Sequence, residues 1–122
     1  MGYRSQVEIL VYGAKDDLQR YYDSYFTENA INDLELDKSS FILKSYENDK
    51  MYFKYTGDYV KWYDDYEDVM FFTKFYQDAE SHNLNAEYLR IGEEYDDIEQ
   101  YQSGNCVEYY LNPIRTIECN LD

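Results

Sequence analysis

The alternation of apolar and polar positions near the start of the chain predicts a strand followed by a helix. Val7, Ile9 and Val11 recur at every second position within residues 4–12, which is the period of a half-buried strand. Gly13 ends this strand. Five apolar residues then recur at the three- and four-residue steps of an amphipathic helix: Leu18, Tyr21, Tyr22, Tyr25 and Phe26. We expect that helix to fade near Asn29.

Two apolar stretches in the next part of the chain predict a β-hairpin. They span residues 41–46 and 51–55, and the polar segment 47–50 between them suits a four-residue turn. A polar connection over residues 31–40 leads into the first of these strands.

The longest apolar stripe with a helical period predicts a helix over residues 62–82. Its members are Trp62, Tyr66, Val69, Phe72, Tyr76 and Ala79. Four acids fall in the first two turns, where the positive end of a helix dipole favours them: Asp64, Asp65, Glu67 and Asp68. A strand over residues 86–91, closed by Gly92, is predicted to follow.

The end of the chain predicts an acidic excursion and a last hairpin. Residues 93–101 carry five acids and are predicted to form a short acidic helix or a turn-rich excursion. Residues 107–111 and 114–119 are then predicted to pair as two strands around a turn at Asn112-Pro113.

This order predicts one α+β domain over residues 1–122. Strand, helix, two strands, helix and strand make the ferredoxin-like βαββαβ arrangement, an antiparallel sheet with two helices on one face. Right-handed crossovers are expected to place the first and fourth strands side by side in the middle. The second face is expected either to stay open or to be covered by the last hairpin, and Tyr12, Tyr46 and Tyr52 fall on or near it.

The composition narrows the classes of partner. The 122 residues carry a net charge of −15, include 17 tyrosines and are 20% aromatic, a share that argues against disorder. Residues 57–101 hold thirteen acids and three bases, hence −10 of that charge. Such a charge repels nucleic acid and membranes and attracts basic surfaces. With no apolar run long enough for a membrane span and no signal-peptide pattern, we expect a cytoplasmic protein.

The sequence contains no motif that predicts catalysis. It has one histidine, His82, no phosphate-binding glycine loop and no nucleophile elbow. The acid clusters do not match a calcium loop, so we expect no metal, no cofactor and no enzyme activity, with a cation-dependent enzyme as a minor alternative. Cys106 and Cys119 are expected to be structural thiols, because disulfides are rare in the cytosol.

The concentrated charge predicts a binding protein that imitates DNA. Its contact residues are expected to be Asp64, Asp65, Glu67, Asp68, Glu93, Glu94, Asp96, Asp97, Glu99, Tyr63 and Tyr95. The expected partner is a basic, nucleic-acid-binding protein, without direct binding to nucleic acid, and homodimerisation is left open. The alternative is an interaction module that binds through an open, tyrosine-rich sheet face, with charge serving only solubility.

The first seven residues, Met1-Gly2-Tyr3-Arg4-Ser5-Gln6-Val7, resemble the start of small phage-encoded proteins that begin Met-Gly-Tyr-Arg-Ser-x-Val. Gln6 stands where an acid is usual in that group. The resemblance covers seven residues and carries over no functional residue. It implies a phage or prophage origin and no particular activity. That origin favours a viral protein in the host cytoplasm that inhibits host defence, of the anti-CRISPR or anti-restriction type.

Overall fold

A five-stranded antiparallel sheet forms the centre of the molecule. The computed structural model of the chain describes residues 2–104, 110–113 and 117–119. The strands, in chain order, are β1 (Ser5–Ala14), β2 (Phe41–Glu47), β3 (Lys50–Val60), β4 (Asn85–Ile91) and β5 (Ile98–Ser103). Their order in the sheet is β2-β3-β1-β4-β5. The prediction of an α+β protein with an antiparallel sheet is confirmed.

β1 lies at the centre because both of its faces are buried. Val7, Ile9 and Val11 are fully buried on the face that carries the helices, and Leu10 is fully buried on the other. β1 is antiparallel to both of its neighbours, so that Ile9 faces Tyr55 of β3 and Tyr88 of β4.

Among the described residues, three α-helices and two short 3₁₀ helices accompany the sheet. They are α1 (Lys15–Tyr25), α2 (Glu28–Asp33) and α3 (Glu67–Asp78), with 3₁₀ turns at Lys38–Ser40 and Ala79–His82. The first helix was expected to run past residue 26, but Phe26 ends it. Its backbone N–H donates to the Tyr22 carbonyl, and Thr27 then caps α2 by accepting from the Ala30 N–H.

The predicted long helix over residues 62–82 starts five residues too early. Tyr66 has an extended backbone, and α3 begins after it at Glu67. Trp62 belongs to the apolar stripe but is buried from a non-helical segment, with its ring 5.5 Å from that of Tyr55. Asp64 and Asp65 therefore lie in a turn before the helix. The periodicity was misleading because a buried loop residue happened to extend it.

Of the two alternatives predicted for residues 93–101, the turn-rich excursion is observed over residues 93–97 and the acidic helix is wrong. The remaining residues belong to strand β5. The Gly92 N–H donates to the Asp97 carbonyl at 2.8 Å and closes the turn between β4 and β5. Tyr101 then pairs with Tyr88 across the two strands. The spacing of Tyr95, Ile98 and Tyr101 looks helical, but Tyr95 is 82% exposed at the turn.

Large aromatic rings fill the space between the helices and the sheet. The Phe75 ring is fully buried and stacks on Tyr21 at 4.9 Å between centroids, with Phe26 at 4.9 Å and Phe53 at 4.8 Å. These rings come from α1, the following segment, β3 and α3, so that one aromatic cluster joins the helices to the sheet. Ring pairs at such distances add stability beyond their buried area.

The second sheet face carries a smaller cluster, covered by the C-terminal segment. Leu10, Tyr12, Tyr52 and Leu89 pack there with Leu111. Strands β6 (Leu111–Pro113) and β7 (Ile117–Cys119) pair with each other in a separate two-stranded sheet.

The predicted position of the last turn is wrong. Asn112 and Pro113 lie within β6, where they pair with Glu118 and Ile117 of β7, and so they do not form the turn. The remainder of the predicted hairpin, residues 107–109 and 114–116, lies outside the described residues, as does Cys106.

Candidate acidic interface

Two acidic segments, residues 61–66 after β3 and residues 92–97 after β4, leave the same end of the sheet. β1 begins there, and its first residues pair with the ends of two other strands: Ser5 with Val60 of β3, and Gln6 with Ile91 of β4. The segments that follow β3 and β4 therefore start side by side, although they are about 30 residues apart in the chain.

Tyr3 connects the two segments. Its backbone N–H donates to the Tyr63 hydroxyl at 2.6 Å, and its own hydroxyl donates to the Asp97 carboxylate at 2.6 Å. The Glu94 N–H donates to the same Tyr3 hydroxyl at 3.0 Å. The Arg4 N–H donates to the Glu93 carboxylate. The N-terminal residues thus hold the 61–66 and 92–97 segments together.

We call this part of the molecule the acidic end. Its acids are Asp58, Asp64, Asp65, Glu67, Asp68, Glu93, Glu94, Asp96, Asp97 and Glu99. Three bases, Arg4, Lys61 and Arg90, stand among them. Ten carboxylates against three bases leave a formal charge of −7, close to half of the chain's −15. The remaining charge is spread over the rest of the chain.

Arg90 partly neutralises the acidic end. Its guanidinium lies 2.6 Å from Asp97 and 2.8 Å from Glu99, and it donates to the Ser5 hydroxyl at 3.0 Å. Burial alone lowers the pKa of Arg90, but the hydrogen bonds to Asp97 and Glu99 outweigh it and raise the pKa. The same hydrogen bond from Arg90, with that from Tyr3, lowers the pKa of Asp97.

The predicted contact residues therefore divide into two groups. Asp97 and Glu99 are engaged by Arg90, and Tyr63 is half-buried with its hydroxyl used by Tyr3. The other eight are exposed: Asp64, Asp65, Glu67, Asp68, Glu93, Glu94, Asp96 and Tyr95. Among them, Asp68 accepts from the Val69 N–H at 2.9 Å at the start of α3.

An aromatic groove beside the acidic end was not predicted. It has a volume of about 610 Å³ and lies between α3 and the last two strands of the sheet. Its lining includes Trp62, Tyr76, Tyr88 and Tyr101, and the Tyr76 and Tyr88 rings stack at 4.7 Å. The aromatic residues of the predicted helix over residues 62–82 were a signal for one side of this groove. Because β5 was not predicted, nothing in the sequence indicated the other side.

The tyrosine-rich sheet face is covered at two of its three tyrosines. Tyr12 is 5% exposed and Tyr52 is 1% exposed, while Tyr46 is half-buried. The Tyr110 ring lies 5.2 Å from that of Tyr12, edge to face. Of the two predicted alternatives, coverage by the C-terminal segment is the one observed at Tyr12 and Tyr52.

Within residues 2–104, 110–113 and 117–119, no group of three or more histidine, cysteine or acidic residues is arranged to hold a metal ion. His82 lies at the end of a 3₁₀ turn with its ring 4.4 Å from that of Tyr21. No described helix combines the length and apolar character needed to span a membrane.

Comparisons with known proteins give no relative. No family model matches the chain, and neither the curated proteins nor the solved structures include a significant match.

Proposed function

We propose that this protein is a phage-encoded inhibitor that binds a basic, nucleic-acid-handling defence protein of the host and occupies its DNA-binding groove. It acts by binding, without catalysis, in the host cytoplasm. The observation that supports this proposal is the meeting of two acidic segments at one end of the sheet, joined through Tyr3. We class the activity as anti-CRISPR or anti-restriction.

The size of the acidic end suits a groove built for DNA. A chain of this length folds to a body about 35 Å across, and duplex DNA presents a charge about every 1.7 Å along its axis. The DNA that such a body replaces therefore carries about 20 charges. The acidic end has ten carboxylates and three bases, hence a formal charge of −7, which is about a third of that DNA charge. Exposed Tyr95 adds an apolar contact beside the carboxylates.

The topology we propose for the scaffold is ferredoxin-like. The order β2-β3-β1-β4 within the antiparallel sheet, with β5 added beside β4, supports it. α1 and α3 pack on the same face through Tyr21 and Phe75. In this arrangement the loops at one end of the sheet carry the acids, while the buried strands fix their positions.

The proposal is tested by displacement of DNA from purified host defence nucleases. We expect the protein to compete with duplex DNA, and the competition to weaken by about tenfold or more between about 0.05 M and 0.2 M salt. Replacing Asp64, Asp65, Glu67 and Asp68 together by lysine should abolish competition, because four exposed contacts then repel the basic groove.

A matched variant distinguishes the effect of where the acids lie from the effect of the total net charge. Asp16, Asp23, Glu28 and Asp33 are exposed and lie on α1 and α2, so their replacement by lysine changes the net charge equally. This control should compete almost normally, with the fold of both variants checked by circular dichroism. Equal loss in the two variants, or competition that does not respond to salt, would contradict the proposal.

A further inference from the structure

The outer edge of β5 is open among the described residues. β5 pairs with β4 on one side and ends the sheet order on the other. The bond from the Gly92 N–H to the Asp97 carbonyl sets the alternation of the antiparallel ladder. By this alternation Gln100 and Gln102 direct their backbone N–H and C=O groups away from β4, as a template for another strand.

The helix layer leaves room beside this edge. One wall of the groove is formed by Met70, Lys74 and Gln77 of α3, and the other by Glu99 and Tyr101 of β5. Met70 is 50% exposed at this wall. Because β5 residues alternate between the two sheet faces, Glu99 and Tyr101 share the helix side with the groove. A strand added to β5 would place every second side chain in it.

The charge at the groove favours a basic occupant. Asp64 and Glu99 line it, and Lys74 is the one base among its described lining residues. Glu99 already accepts from Arg90 through one carboxylate oxygen, and the acidic turn between β4 and β5 lies beside the start of β5. The methylene stem of an arginine or lysine can pack on Met70 and Tyr101 while its charged head reaches the carboxylates. Tyrosine and tryptophan rings nearby also attract cations.

We propose that the β5 edge and this groove bind an extended basic segment of a partner protein, which adds to the sheet as a sixth strand. Backbone hydrogen bonds to Gln100 and Gln102 give the affinity, and alternate arginine or lysine side chains in the groove give the specificity. This goes beyond the proposed function, because it depends on one strand edge and holds for a partner that handles no nucleic acid.

The test uses a synthetic peptide of about ten residues that alternates arginine with threonine, long enough to pair along all of β5. Trp62 is the one tryptophan of the chain and lines the groove, so its fluorescence should change on binding. Hydrogen exchange at the Gln100 and Gln102 amides should slow by at least about tenfold at saturation, because both become hydrogen-bonded.

Two controls separate strand addition from simple charge attraction. The same peptide with N-methyl groups on alternate residues, prepared in both registers, should bind at least about tenfold more weakly in one register. The variant M70R should also weaken binding, whereas I42R should not. Ile42 is 46% exposed on the opposite edge strand, so the two variants change charge and exposed apolar area alike.

Three results would overturn the proposal. Equal binding by both N-methylated peptides would show that the backbone takes no part. Equal weakening by I42R and M70R would place the peptide elsewhere. Protection of Gln100 and Gln102 that grows with protein concentration alone would assign the edge to a second copy of this chain.

Discussion

Individual tyrosines in this protein both fill the core with their rings and donate hydrogen bonds to backbone carbonyls with their hydroxyls. The Tyr21 hydroxyl donates to the Phe75 carbonyl at 2.7 Å, and the Tyr25 hydroxyl donates to the Phe71 carbonyl at 3.2 Å. Each ring fills the interface between α1 and α3 while its hydroxyl fixes the position of the opposite helix. Burial raises the pKa of Tyr25 to about 12, with Asp78 adding to the effect.

The contact between Asp97 and Arg90 should be measurable as a pH-dependent part of the stability. The pKa of Asp97 is lowered in the folded protein, first by Arg90 and then by Tyr3. Its stabilising effect is therefore complete above the unfolded pKa of about 3.9 and is lost as the pH falls through the folded pKa. We expect D97N to reduce the free energy of unfolding by about 1–2 kcal/mol at neutral pH.

Urea unfolding at pH 7 and in stronger acid checks this expectation. The difference between D97N and the parent should shrink once Asp97 is protonated in both states. D96N is the control, since Asp96 is exposed in the same turn and a surface change of this kind shifts stability by less than about 0.5 kcal/mol. A deficit in D97N that is equal at both pH values would contradict the assignment.

At the scale of elements, strands surrounded by other strands could be predicted from the sequence. β1 and β4 were placed within a few residues because their burial imposes an apolar pattern that no other conformation explains as well. β3 is longer than predicted, reaching Val60, because its last residues pass Gly57 and lose the alternation. The pattern is weakest where a strand leaves the core.

β5 could not be predicted because it is an edge strand with mostly exposed residues, and so it lacks the alternation of apolar residues that a buried strand shows. Three of its six residues, Glu99, Gln100 and Gln102, are polar and exposed, and the acids of the preceding turn dominate the pattern. The acids of the candidate site could be predicted from the sequence. Their junction through Tyr3 and the groove beside β5 could not, because both depend on contacts between distant parts of the chain. Loop residues such as Trp62 imitate helical spacing when they are buried.

The docking of the C-terminal segment should depend on Glu87 of β4. This side chain is 1% exposed. Its carboxylate accepts from the Tyr110 N–H at 2.9 Å, the Leu111 N–H at 3.1 Å and the Tyr12 hydroxyl at 2.9 Å. In E87L the two backbone donors lose their acceptor, so we expect a loss of about 2–4 kcal/mol in the free energy of unfolding.

Hydrogen exchange and denaturant unfolding together test this role. The Tyr110 and Leu111 amides should exchange much faster in E87L, and the uncovered face around Leu10 and Leu89 should bind a hydrophobic dye. Y12F removes only one of the three hydrogen bonds and should cost about 0.5–1.5 kcal/mol. Unchanged exchange at Tyr110 and Leu111 in E87L would show that other contacts hold the segment.

For the whole molecule, the buried tyrosines predict a sharp alkaline unfolding. Burial raises the pKa of Tyr55 and of Tyr76 to about 12, and it also raises the pKa of Tyr21 and Tyr88. An unfolded tyrosine ionises near pH 10. The stability held by the protonated hydroxyls is therefore present below about pH 10 and is lost as the pH rises toward about 12.

Circular dichroism and tyrosinate absorbance should follow this transition together. Y55F removes one ionising group while keeping its ring, and should make stability fall less steeply with pH in this window. Tyrosinate formation by the buried tyrosines while the circular dichroism stays native would contradict this account.

The junction at Tyr3 sets how the acidic end should respond to ionic strength. Its two bonds of 2.6 Å are too short for dissolved ions to screen, whereas the outward carboxylates feel every counterion within a Debye length. Added salt should therefore weaken the binding of a basic partner without changing the structure of the acidic end. A partner that dissociates at high salt should therefore bind again, with the same affinity, once the salt is diluted.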